Sequence, residues 1–311
     1  MSARKKVTIV GGGQTGGIMA YHLAAKNICD IVIKDVAEFA QHHGKALDIM
    51  QGGSFGSYET KITATDDWDA TADSDVVVIT SGAPRKPGMT REDLLKSNAS
   101  VVGDYAAKNA AALSPNAIII VFANPMDVMC HAAARATGFP RERIIGQGGM
   151  LDSSRFRTFI AMELGVAPRD VHAYVLGGHT DATMVPIVSQ ARVGGMPLTS
   201  LLSPERIDAI VKRTMNGGAE LVELYKTGSA FLGPSVGTMA MVEAVLLDEK
   251  RLMPCAVLLD GEYGIKDTFC GTIIKIGAGG AEEIFEAAVS DDEKAKIVAA
   301  AKGTAELAAI I

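Results

Sequence analysis

The chain has few cysteines, and none of them is paired by spacing. Cys29, Cys130, Cys255 and Cys270 lie far apart, and none belongs to a Cys-x-x-Cys pair. That excludes a disulfide framework and fits free thiols in a reducing compartment, so a cytoplasmic location is expected. Long apolar runs are missing too. No stretch approaches the roughly 20 residues that span a bilayer. The basic start, Met1-Ser-Ala-Arg-Lys-Lys6, leads into a short strand pattern and not into the apolar core of a secretory signal. Positive charge is not in excess. The formal net charge is −6, which argues against nucleic acid or an anionic membrane as partner. It leaves anionic substrates open, because local arginines decide that. Internal repeats and low-complexity linkers are also absent.

What is present is an alternation. Val7–Val10, Asp30–Lys34, Asp75–Thr80 and Ala117–Ala123 are short, rich in β-branched residues and bounded by Gly, Asp, Asn or Pro. They read as strands covered on both faces, hence as a parallel sheet. Helical spacing fills residues 14–27, 37–50, 90–112 and 126–137 between them. This predicts a doubly wound α/β sheet. The second half is less regular. Helices are expected over 152–164, 204–226, 234–248 and 291–311, with extended runs at 171–176, 184–193, 256–260 and 272–276. The expected division is a Rossmann domain over 1–147 and a mixed α/β substrate-binding lobe over 148–311.

The first strand runs into Gly11-Gly-Gly-Gln-Thr-Gly16. In a G-x-G-x-x-G turn, the first glycine permits the tight turn and the second lets a pyrophosphate approach the backbone. The third lets the following helix pack on the sheet. Its positive end would receive the phosphates. Asp35 ends the second strand about 20 residues on, where an acid accepts hydrogen bonds from a ribose diol and repels a 2′-phosphate. This predicts NAD over NADP, although Lys34 beside it softens the repulsion. A glycine-rich turn without ligand is the alternative. The similar Gly277-Ala-Gly279-Gly280 has Glu282 at the third glycine position, so packing or a tight turn explains it better.

Three further segments suggest a site. Ser81-Gly-Ala-Pro-Arg-Lys-Pro-Gly-Met-Thr-Arg91 sets Arg85 and Arg91 in a loop after a strand. A guanidinium grips a carboxylate bidentately and keeps its charge, so the loop reads as a dianion site or else as a solvated loop. Leu151-Asp152-Ser-Ser-Arg155 puts an acid and a base on one helical face. Such a pair is either a surface ion pair or an acid that orients a histidine beside an arginine that takes a carboxylate. His179, in Leu176-Gly-Gly-His-Thr-Asp181, is the one histidine of six on a glycine-flanked strand end. Asn124-Pro-Met-Asp127 closes another strand, where α/β sites lie. His42-His43 has no supporting ligand cluster, so no metal site is expected.

Together these motifs, with Gly44-Lys-Ala-Leu-Asp48, resemble the lactate/malate dehydrogenase family nearly end to end, in particular its lactate-dehydrogenase-like bacterial malate dehydrogenases. The resemblance implies a Rossmann lobe plus a mixed α/β catalytic lobe and NAD as cofactor. It also implies malate or oxaloacetate as substrate and a homo-oligomer, tetramer or dimer. His179 would be the proton acceptor and Asp152 its partner. Arg155 would bind the C1 carboxylate, Arg91 would polarise the C2 oxygen, and Arg85 would select a dicarboxylate. Asn124 would bind near nicotinamide and substrate, and Ser229 would line the pocket. Cofactor contacts would come from Gly11, Gly13, Gln14, Thr15, Gly16, Asp35, Ser81, Gly82, Asn98 and Asn124. A lactate or other 2-hydroxy-acid dehydrogenase, or an inactive NAD-binding regulator, is the alternative. Two departures stand out. The family's Gly-Gly-His-Gly-Asp becomes Gly-Gly-His-Thr-Asp with one extra residue before Met184-Val-Pro186, so Thr180 would be strained if its φ had to be positive. The run Ala37–His43, near the adenosine end, is also unusual.

Overall fold

Apolar residues of the central strands in the first half alternate, and each of these strands feeds two cores. Val7, Ile9, Val76, Val78, Ile118 and Ile120 pack on one side, whereas Val10, Val77, Ile79, Ile119 and Val121 pack on the other. A strand buried on both faces must be covered by helices on both faces. The computed structural model, which describes residues 4–56, 58–82, 90–110 and 112–311, shows this arrangement. The order is β1 (Lys6–Val10), α1 (Gln14–Lys26), β2 (Asp30–Lys34), α2 (Gln41–Gly56), β3 (Ile62–Thr65), β4 (Val76–Ile79), α3 (Arg91–Ala110), β5 (Ile118–Val121), α4 (Met126–Thr137) and β6 (Ile144–Gly146). Neighbouring strands pair in parallel in the order β3-β2-β1-β4-β5-β6. That is the dinucleotide-binding order, with its reversal between β1 and β4.

The second half continues through α5 (Gly148–Leu164), β7 (Val171–His172), β8 (Val175–Gly177), β9 (Met184–Pro186), β10 (Arg192–Val193), β11 (Met196–Pro197), α6 (Pro204–Met215), α7 (Gly217–Tyr225), α8 (Leu232–Leu246), β12 (Arg251–Asp260), β13 (Lys266–Gly277), β14 (Gly280–Phe285) and α9 (Asp291–Ala308). β12 and β13 form a long antiparallel hairpin. A single bridge, Ala256 to Gly146, joins it to β6, and Gly271 to Gly177 joins it to β8. The two halves therefore share one mixed sheet. α8 crosses back to the first half, where the Ser235 hydroxyl donates to the Thr15 carbonyl at 3.2 Å.

Several boundaries differ from the sequence reading. The expected single strand over 184–193 is two short ones, β9 and β10. The expected helix over 204–226 breaks at Asn216. Gly277–Gly280 is the β13–β14 turn, with Gly280 at φ +86°, in line with its reading as a turn. α9 begins on a capping box, with Ser290 and Glu293 satisfying each other's backbone N–H groups.

Candidate active site

The glycine turn divides its labour as its spacing predicts. Gly11 holds φ +113°, which favours glycine. At Gly13 an added Cβ would meet nothing within 4 Å, so the backbone faces open space. At Gly16 an added Cβ would fall 1.8 Å from the Gly11 carbonyl oxygen, so the helix lies hard against the strand end. Gly16→Ala is expected to cost about 1–3 kcal/mol of stability by overpacking, together with NADH affinity. Gly13→Ala should lower affinity and leave Tm unchanged. A thermal melt and a fluorescence titration of each variant check this.

Asp35 follows β2 at the rim of that turn. Its Oδ2 accepts the Gly12 N–H at 2.6 Å and its Oδ1 the Val36 N–H at 2.8 Å. Lys34 does not face this carboxylate. Its ammonium lies 4.4 Å from the Trp68 ring centroid and donates to the Asp35 carbonyl. Sequence reasoning missed Lys45, whose Nζ donates to the Gly12 carbonyl at 2.7 Å. It brings a cation to the phosphate end of the turn, and its signal was its place in Gly44-Lys-Ala-Leu-Asp48. Across the turn, Ser81 follows β4 and its N–H donates to the Val10 carbonyl at 3.2 Å. Gly82 abuts Asn98, whose Nδ2 donates to the Asn124 carbonyl at 2.9 Å.

From this crevice a cleft of about 610 Å³ opens towards the second half. Asn98, Asn124, Arg155, His179 and Ser229 line it, together with Thr180, noted above as a departure, and with Gln147 and Asp181, which sequence reasoning did not single out. Arg85 lies outside the described residues. Arg91 begins α3, but its side chain also lies outside them.

β8 delivers His179. Gly177 at φ +81° turns the chain out of the strand. The ring then packs against α5, where an added Cβ on Gly148 would sit 2.6 Å from the His179 Cβ. His179 Nδ1 bonds Asp152 Oδ2 at 2.6 Å. Asp152 is 1% exposed, and its Oδ1 accepts from Arg155 Nη1 at 3.0 Å. The pair is therefore not a surface ion pair: it is buried and joined to the histidine. Burial lowers the His179 pKa, but the charge and hydrogen bond of Asp152 and the charge of Asp127 outweigh it, with Arg155 opposing, and the pKa ends above its ordinary value. Arg155 Nε is buried with no hydrogen-bond partner among the described residues. An orphaned guanidinium donor beside a cleft suits a carboxylate.

The Thr180 departure is accommodated without strain. Thr180 is not among the residues with positive φ. The Thr180 and Thr183 hydroxyls bond at 2.7 Å, and the Thr183 and Met184 N–H groups both donate to the Thr180 carbonyl at 3.0 Å. Residues 180–184 thus form a closed turn, and His179 bonds Asp152. In the unusual run before Gly44, the buried His42 ring bonds the Phe39 carbonyl.

A family model for the lactate/malate dehydrogenase NAD-binding domain matches residues 5–146, and one for the α/β C-terminal domain of the same family matches residues 149–311. The chain belongs to the lactate/malate dehydrogenase family. It is 50% identical over 304 residues to a malate dehydrogenase of Thermomicrobium roseum, covering 98% of this chain and 97% of that one. Among solved structures it is similar to the apo malate dehydrogenase of Picrophilus torridus, with TM-score 0.94, 41% identity, and 99% and 97% of the two chains covered. It is also similar to a lactate dehydrogenase of Cryptosporidium parvum complexed with lactic acid and β-nicotinamide adenine dinucleotide. There the TM-score is 0.94 with 36% identity, and 100% and 98% of the chains are covered. Overall shape thus does not separate the two substrates; side chains in the cleft must.

Proposed function

We propose that this chain is an NAD-dependent malate dehydrogenase, interconverting (S)-malate and oxaloacetate. The observation that carries the reading is the buried line Arg155–Asp152–His179 on the wall of a cleft that opens from the dinucleotide turn. The open backbone at Gly13 and the acid at Asp35 fit NAD. Gly11, Gly13, Gln14, Thr15 and Gly16 would hold its phosphates and Asp35 its ribose. Ser81, Gly82, Asn98 and Asn124 would flank the nicotinamide end. When bound, NAD supplies the acceptor for the hydride that leaves malate C2.

The chain's own groups do the rest. His179 takes the C2 hydroxyl proton on Nε2, because Asp152 already holds Nδ1 and fixes the tautomer. Asp152 stabilises the imidazolium that results. Arg155 receives the C1 carboxylate on the donor it leaves unpaired. Arg91 polarises the C2 oxygen, Ser229 lines the pocket, and Arg85 pairs the second carboxylate, which lactate lacks.

The test is NADH oxidation by purified protein with oxaloacetate against pyruvate, repeated with NADPH. Oxaloacetate with NADH should be strongly preferred. Equal or better turnover of pyruvate would move the reading to a lactate-type 2-hydroxy-acid dehydrogenase. Arg85→Gln should lower kcat/KM for oxaloacetate about 100-fold or more, since a buried charge left unpaired costs about 3–5 kcal/mol, and raise the relative preference for pyruvate. Unchanged rates would reject the role of Arg85.

A homo-oligomer, dimer or tetramer, belongs to this reading. Tyr21 on α1, Leu47, Met50 and Phe55 on α2, and Leu224 on α7 are exposed apolar side chains that another copy would cover. A cytoplasmic location is supported by four buried free thiols. Among the described residues no helix is long and apolar enough to cross a membrane.

A further inference from the structure

The connection between β8 and β9, residues 178–183, carries two hydroxyls beside the cleft. Thr183 is half-buried and Thr180 is exposed. Thr180 lines the cleft, next in the chain to His179. Thr183 is fixed at three points. Its carbonyl accepts the Gly178 N–H at 3.1 Å, and its hydroxyl oxygen accepts the Thr180 N–H at 3.2 Å. Gly178 leaves room for that hydroxyl, because an added Cβ there would fall 2.5 Å from it. The two hydroxyl oxygens then lie 2.7 Å apart.

Proton counting decides what this pair can do. A hydroxyl has one proton to give and two lone pairs. The Thr183 oxygen already takes the amide proton, and its own proton has two targets. The Thr180 carbonyl at 3.5 Å is at the limit of a hydrogen bond, whereas the Thr180 hydroxyl at 2.7 Å is at the ordinary O–H···O distance. When the proton goes to the hydroxyl, that of Thr180 is left for the cleft. The series then runs from the Thr180 amide through Thr183 to Thr180 Oγ1, each bond polarising the next, and it ends on a donor. An anion in the cleft selects this arrangement over the reverse one, in which Thr180 donates to Thr183 and shows the cleft only lone pairs.

We propose that the Thr180 hydroxyl is a further substrate-binding group that donates to the second carboxylate of the diacid, with Thr183 as the positioning residue that orients it. This rests on the reading of the cleft as a dicarboxylate site. Depth assigns the carboxylate. The Arg155 side chain, which takes the C1 carboxylate, is 11% exposed and that of His179 14%. A four-carbon acid seated on them points its other end towards the mouth, where Thr180 stands exposed. Among the described residues of that lining, Arg155 is the one arginine or lysine, and Asp181 beside Thr180 repels an anion. A neutral donor on this wall offsets that repulsion. The glycine of the family pattern offers no hydroxyl here, so the donor comes with this chain's departure from it.

The test is kcat/KM for oxaloacetate and for pyruvate, with NADH, in Thr180→Val, which keeps the β-branch and removes the hydroxyl. The value for oxaloacetate should fall about tenfold to a hundredfold, the worth of one hydrogen bond to a charged group. The value for pyruvate, which has no second carboxylate, should be unchanged. Thr180→Ser keeps the donor and should keep the wild-type ratio of the two. Thr183→Val should lower that ratio by a smaller factor, and adding it to Thr180→Val should lower it no further, because the series has already lost its end. Thr180→Ala serves if the valine variant folds poorly. An unchanged ratio in folded Thr180→Val overturns the proposal, as does an equal fall for both substrates, which would mark the loop as structural only. A serine variant as poor as the valine one also overturns it. The underlying reading fails separately. Wild-type protein that prefers pyruvate sinks the dicarboxylate site, and this proposal with it. Wild-type protein that prefers oxaloacetate, combined with an unmoved ratio in Thr180→Val, removes only the role of Thr180.

Discussion

Replacing His179 with asparagine should lower turnover of oxaloacetate by about 10²–10⁴-fold, the usual worth of a positioned acid–base group. The asparagine amide can still donate to Asp152 Oδ2, which lies 2.6 Å from His179 Nδ1, so the buried carboxylate is not abandoned. What disappears is the second nitrogen, the only part of the ring free to exchange a proton with substrate. NADH affinity should be unchanged, because the dinucleotide turn is built from other residues. Stopped-flow reduction with a parallel NADH titration reads both quantities. Wild-type turnover in this variant would sink the acid–base assignment.

The second large effect is expected from Arg155→Gln. Arg155 is 11% exposed at its side chain and bonds Asp152 at 3.0 Å, and its Nε lacks a partner. Removing it leaves two negative groups, Asp152 and the bound carboxylate, short of a counter-charge. Loss of one member of a buried pair costs about 3–5 kcal/mol, or about 10²–10⁴-fold in kcat/KM. Arg155→Lys should recover only part of this, since an ammonium lacks the planar fork. The pH dependence gives an independent sign. Arg155 opposes protonation of His179, so its loss should move the histidine limb to higher pH. Steady-state kinetics across pH decide it. Unaltered kcat/KM would place the substrate carboxylate elsewhere.

Much of this was legible along the chain because the chemistry sits at strand ends, and strand ends are marked by glycine, proline and acids. Gly11–Gly16, Asp35, Asn124 and His179 all follow short apolar runs that form β1, β2, β5 and β8. The rest depended on tertiary facts. β6 has three residues, too few to show a period. β12 starts earlier than expected because Pro254 reads as a breaker. It is tolerated there because β12 meets β6 only at Ala256, so at Pro254 that side of the strand is an edge. The break between α6 and α7 is invisible in a pattern that runs on. It places Gly217 under the Arg155 stem, where an added Cβ would come within 2.9 Å of the Arg155 Cδ.

The Ala256–Gly146 bridge and the seat of α8 on α1 have a mechanical corollary. The glycine-turn half and the His179 half are joined through a common sheet, so relative movement of the two would have to break that bridge and that contact. The spacing between the imidazole and the glycine turn is thus carried by shared strands and not by a flexible tether.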